Sequence, residues 1–247
     1  MKNFRLRHID TIIAEEIDYS FLMKEILQYK NAFFHKVKHF TTNFKEIHDI
    51  VSEITSIELS SIKINKNNSI KIPVRIGHLS YVAMLELNDI LSRDTSKEPM
   101  SEIMAKVISI ACYEENKESL YDSTSLSFKR LEKRILEQPL LDMIGLYNWI
   151  LETAKAENKV WEKKFFSVEV SDPDADAGGK QGLRQFNVMS TLMSTCKDFN
   201  YTEKESWYVS FDLIQEKAYK KAYEYKVQDN IRIIKEDKMK ANRKNRR

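Results

Sequence analysis

Asp172, Asp174 and Asp176 place three carboxylates at every second position of one short acidic segment, Ser171 to Gly182. Oxygen ligands at that spacing converge on a hard cation when the chain curls around it. A twelve-residue calcium loop counted from Asp172 needs glycine in sixth place and glutamate in twelfth, where Ala177 and Leu183 stand. The segment therefore reads as a solvated turn. His35 and His39 stand four apart, which on a helix sets both imidazoles on one face. Lys36 and Lys38 lie beside them and oppose a bound cation, and no glutamate completes an HExxH pattern. No metal site is expected.

Nucleophiles are as sparse. Cys112 and Cys196 are the only cysteines and lie far apart, without a CxxC pair. That excludes a disulfide framework and a zinc ribbon, and fits a reducing compartment. Cys112 ends an apolar helical stretch, where cysteine packs as a small hydrophobe. The chain lacks GxSxG, GxGxxG and the GxxxxGK[ST] phosphate loop. Gly178-Gly179-Lys180 is a fragment of a phosphate cradle, but it follows aspartates that repel one. Glu15 and Glu16 are adjacent, so on a helix they splay by about 100°. The expectation is a non-enzymatic protein with no catalytic residue and no cofactor.

Charge gives the most pointed non-catalytic feature. The net charge is +3, yet from Lys235 to Arg247 seven cations face only Glu236 and Asp237. The positive field is therefore a tail on a near-neutral body. Lys240, Arg243, Lys244, Arg246 and Arg247 are its candidate nucleic-acid contacts, which would be weak and salt-sensitive. Tyr219, Tyr223 and Tyr225 lie just upstream and could stack on bases. Tyr219 and Tyr223 are four apart, however, which also suits one packing stripe. Cations favour the last turn of any helix as well.

The elements that position these residues are mainly helical. The 247 residues include only 5 glycines and 4 prolines, which favours long helices over a many-stranded sandwich. Apolar residues make up 42%, enough for a core. Phe21, Phe33 and Phe34 fall in a helical stripe that runs to Val37. The period then shortens. Apolar residues alternate through Ser56–Ile64 and again at Ile70, Ile72, Val74 and Ile76, with an asparagine turn between, predicting a β-hairpin near 56–76. Helical spacing returns over Leu79–Leu91, Met100–Cys112, Leu126–Leu136 and Leu140–Trp161, and Phe165–Val170 is expected as a short strand. Thr202-Glu203-Lys204-Glu205 has the capping-box pattern and predicts a helix start near 203, with Trp207, Phe211, Leu213 and Ile214 inward.

The fold class expected is mainly α with a small β-hairpin, an α+β arrangement with a bundle-like set of helices. The domain plan is a helical domain over 1–170, the acidic loop 171–182, a helical subdomain over 183–234, and the basic tail 235–247. No run of about 18 uncharged apolar residues occurs, so no membrane association is expected. The chain start is too acidic for a secretory signal.

From Leu183 to about Ile233 the order is a short apolar helix, then Phe199-Asn200-Tyr201-Thr202-Glu203-Lys204-Glu205-Ser206-Trp207, then Phe211 opening a charged helix. This resembles the small helical tail-assembly chaperones of tailed bacteriophages, over about a fifth of the chain. Ile70–Leu91 is loosely similar to phage tail and baseplate-assembly proteins. The resemblance implies a morphogenesis factor in the host cytoplasm that binds a tail, hub or connector protein. It is equally compatible with a structural subunit retained in the virion, and with an oligomer. Candidate partner-binding residues are Phe21, Phe33, Phe34, Trp207, Phe211 and Tyr219, drawn from the two most aromatic stripes.

Overall fold

The computed structural model describes residues 4–14, 48–49, 51–52, 59–65, 69–117, 120–167, 193, 196–197 and 200–244. Among them seven α-helices occur: α1 (Ile9–Ile12), α2 (Tyr81–Ser92), α3 (Met100–Lys117), α4 (Leu126–Leu136), α5 (Leu140–Ser167), α6 (Glu203–Trp207) and α7 (Phe211–Lys244). Short 3-10 turns at Leu6–His8, Leu59–Ser61 and Ile76–His78 complete the regular structure. By contact density the chain falls into two units. One comprises Met1–Ile76 with Leu85–Thr153, the other Gly77–Met84 with Ala154–Arg247. The expected boundary at 171–182 lies outside the described residues.

In the first unit α3 and α4 pack most extensively. Ile103, Val107, Ile108 and Ala111 of α3 and Phe128, Leu131 and Ile135 of α4 are all buried. Ser125 starts α4 by accepting the Phe128 amide at 3.1 Å, satisfying one of the orphan N–H groups of the first turn. Pro139 ends the linker that follows, because its ring removes a donor. The neighbouring groups pair instead with the N-terminal chain: Leu6 N–H donates to the Gln138 carbonyl and Leu140 N–H to that of Phe4. Beside this linkage Phe4 and Leu6 are buried.

The hairpin expected near 56–76 finds no support: its described residues, 59–65 and 69–76, hold no strand, and 56–58 and 66–68 lie outside the described residues. Among the described residues there is no strand, only isolated bridges between Arg5 and Pro139 and between Ser80 and Ser210. Leu59–Ser61 is a 3-10 turn, and 62–65 and 71–73 adopt no regular secondary structure. The physical reason is that helix side chains take the backbone bonds a strand neighbour would have taken. Asn116 of α3 receives the Lys71 N–H at 3.1 Å and returns an N–H to the Lys71 carbonyl at 2.8 Å. Asn148 of α5 donates to the carbonyls of Leu59 at 2.7 Å and Ile62 at 3.2 Å. The alternation also fails at Val74, which is 90% exposed.

The strand expected over Phe165–Val170 is corrected in part as well: Phe165–Ser167 continue α5, while 168–170 lie outside the described residues. The helix starts fare better. Thr202 and Glu205 form the reciprocal cap: Glu205 N–H donates to Thr202 Oγ1 at 3.3 Å, and Thr202 N–H to Glu205 Oε2 at 2.8 Å. The helix this cap opens stops at Trp207, and the chain restarts at Phe211 as α7. That break turns the following residues, so Phe211 and Ile214 are buried while Leu213 is exposed.

Candidate functional site

In the second unit an aromatic seam joins α5 to α7. Tyr81 stacks on Phe211 with ring centroids 6.3 Å apart and lies 6.5 Å from Trp207. Trp161 contacts Phe165, Phe165 meets Tyr219 edge-on at 6.1 Å, and Tyr219 meets Tyr223 at 6.5 Å. Such pairs add to area burial and fix the ring orientations.

Two carboxylates converge on the same indole. Trp161 Nε1–H donates to Glu157 Oε1 at 3.0 Å and to Asp212 Oδ1 at 3.2 Å. Lys164 Nζ sits 3.8 Å over the centroid of the Trp161 ring, a cation–π contact. The Asp212 carboxylate packs on Gly77, where an added Cβ would overlap it. These groups tie the start of α7 to α5 and serve as anchors.

The seam ends at Lys226, whose ammonium donates to the Ser167 carbonyl at 2.7 Å and so meets the carbonyl end of α5. Residues 227–244 continue the helix for about 27 Å at its usual rise. Over this stretch the described hydrogen bonds and ion pairs are intrahelical: Arg232 bridges Asp229 at 2.6 Å and Glu236 at 3.8 Å, and Lys240 approaches Asp237 at 3.9 Å. Yet the stretch is not purely polar. Tyr223 is 52% exposed, Val227 40%, Ile231 47% and Ile234 54%. Their spacings of four, four and three residues put them on one side. Phe211 and Ile214 are buried on the other side of the helix, while Asp212, Tyr219 and Lys226, which meet α5, flank Tyr223 at the edge of the row. Tyr225, Ile233 and Met239 are exposed on other sides of the same helix. An amphipathic helix with an open apolar row can lay that row into a partner's groove.

The residues singled out from sequence are placed differently. Phe211 is buried, and Trp207 and Tyr219 are partly buried in the seam, so their rings face into the unit. Phe21, Phe33 and Phe34 lie outside the described residues, as do His35, His39 and the acidic loop. In the tail Lys240 is exposed. Arg243 and Lys244 continue the helical backbone, and Arg246 and Arg247 lie outside the described residues. The open row of Tyr223, Val227, Ile231 and Ile234 was missed. Its spacing was visible, but the phase of α7 was not.

Groups with reactive potential are engaged in packing. Burial pushes the Cys112 thiol up to about 12, so it stays protonated and apolar in the core. Cys196 Sγ lies 3.1 Å from the Ser206 hydroxyl. In the first unit Tyr121 donates to Glu86 Oε2 at 2.7 Å, and burial with that bond raises its hydroxyl. Among the described residues no set of three His, Cys, Asp or Glu side chains is placed to hold a metal ion. No helix there is long and apolar enough to cross a membrane.

The chain matches no protein-family model, no curated protein and no solved structure.

Proposed function

We propose that this chain is a non-enzymatic morphogenesis factor of a tailed bacteriophage, which binds a tail, hub or connector protein during virion assembly. The observation that carries the binding part is the open row of Tyr223, Val227, Ile231 and Ile234 on a helix whose contacts with α5 among the described residues lie in its N-terminal half. Four apolar side chains on one helix side have a use when a partner covers them. The phage context rests on the likeness of the sequence over 183–233 to tail-assembly chaperones.

A structural virion subunit using the same face is the second reading, favoured by the length of α7. Quantifying the chain by mass spectrometry in purified particles and in the lysate separates them. An assembly factor is abundant in the lysate and missing from particles. Many copies per particle make it a subunit, and absence of any particle-forming partner overturns the viral reading.

A further inference from the structure

We propose that the exposed apolar row of α7 between Lys220 and Lys238 docks an acidic amphipathic helix of a partner protein, an inference that rests on the binding reading above and names its partner's chemistry. At about 100° per residue, Lys220 and Lys238 fall on the same side as Tyr223, Val227, Ile231 and Ile234. The apolar row therefore has a lysine at each end, and Lys235 stands on its border. Arg232 and Lys240 are held by carboxylates of their own helix. Among the described residues no ion pair engages Lys220, Lys235 or Lys238. An apolar strip with an unneutralised cation at either end is complementary to a helix whose apolar row is bounded by carboxylates.

The same arrangement argues against other occupants. A second copy laid parallel would set Lys220 against Lys220 and Lys238 against Lys238. Laid antiparallel, it would set the Lys220 end against the Lys238 end, so either orientation opposes like charges. A nucleic acid or a lipid headgroup layer would pair with the lysines but leave the aliphatic Val227, Ile231 and Ile234 against polar groups, which an apolar helix row covers. Of the row, Tyr223 alone offers a ring for base stacking, and it lies against Tyr219.

The test titrates the full-length chain with a synthetic helical peptide bearing leucine at every third and fourth position and glutamate elsewhere. A twin peptide carries lysine in place of each glutamate. The glutamate peptide is expected to bind about ten-fold more tightly at low salt, protecting the amides of 223–238 from exchange. In the Lys220→Glu, Lys235→Glu, Lys238→Glu triple variant the preference reverses. No binding of either peptide, equal binding of both, self-association through this row, or binding confined to phosphatidylserine vesicles or an oligonucleotide would overturn the proposal. Particle assembly separates the two levels of the account. If Val227→Ser with Ile231→Ser blocks assembly while the triple lysine variant assembles normally, the partner is not acidic and the assembly reading stands. Normal assembly in both variants overturns both readings.

Discussion

The carbonyl of Lys63 lies directly against Gly145, so closely that a methyl group on Gly145 would overlap its oxygen and stand 3.2 Å from the Ile64 Cα. Gly145 is a notch in α5 against which the backbone of Lys63 and Ile64 packs. Asn65 Nδ2 donates to Asp142 Oδ1 at 3.0 Å on one side, and Asn148 holds Leu59 and Ile62 on the other.

Replacing a mid-helix glycine with alanine ordinarily adds about 1 kcal/mol of stability. Gly145→Ala should do the reverse. The obstructing atoms are backbone, which cannot rotate away, so an overpacking cost of about 1–3 kcal/mol is expected. Urea unfolding at constant slope measures it, and unchanged or increased stability would show that the backbone of Lys63 and Ile64 does not pack against this notch.

Asn116 is the second clamp. Besides its paired bonds to Lys71, its amide donates to the Cys112 carbonyl at 2.7 Å. Asn116→Ala should cost about 0.5–1.5 kcal/mol by removing its surface bonds to the Lys71 N–H and carbonyl. Amide exchange should accelerate first at Lys71.

Glu132 gives a pH signature. Burial raises its carboxyl above the ordinary 4.5, with Lys106 opposing that shift, Glu86 adding to it, Lys129 opposing and Glu102 adding. A carboxyl raised in the folded state contributes stability below its unfolded pKa and loses it as pH rises through the folded value. Glu132→Gln should therefore raise Tm at neutral pH, with the gain shrinking toward about pH 4. A gain that grew on acidification would contradict the assignment.

The cysteines should separate under alkylation. With its thiol pushed up to about 12 and its side chain buried, Cys112 should resist iodoacetamide at mildly alkaline pH until the chain unfolds. Cys196, half-buried, should react in the folded protein. Mass spectrometry of labelled peptides reads both rates.

These contacts explain what was legible in the residues. Helices at Met100, Leu126 and Leu140 announce themselves through a 3.6 period, Ser125 and Pro139, all local signals. The Thr202–Glu205 cap is equally local. The hairpin was not, because alternating Ile70, Ile72 and Ile76 suit any extended segment laid on an apolar surface. What decided against pairing were Asn116 and Asn148, some 45 and 86 or more positions away from the groups they bind. The open row on α7 was hidden for a related reason. Trp207 to Tyr225 reads as one stripe until the break between Trp207 and Phe211 resets its phase, which leaves Phe211 and Ile214 buried but Leu213 and Tyr223 exposed.

The most direct test of the central claim, that the far half of α7 serves binding rather than folding, is deletion of residues 227–247. The truncated chain keeps the Lys226–Ser167 contact and the aromatic seam, so its Tm should stay within about 2 °C of the full chain. Its ability to support particle assembly should be lost. A truncated chain that assembles particles at the normal yield, or one that no longer folds, would contradict the account.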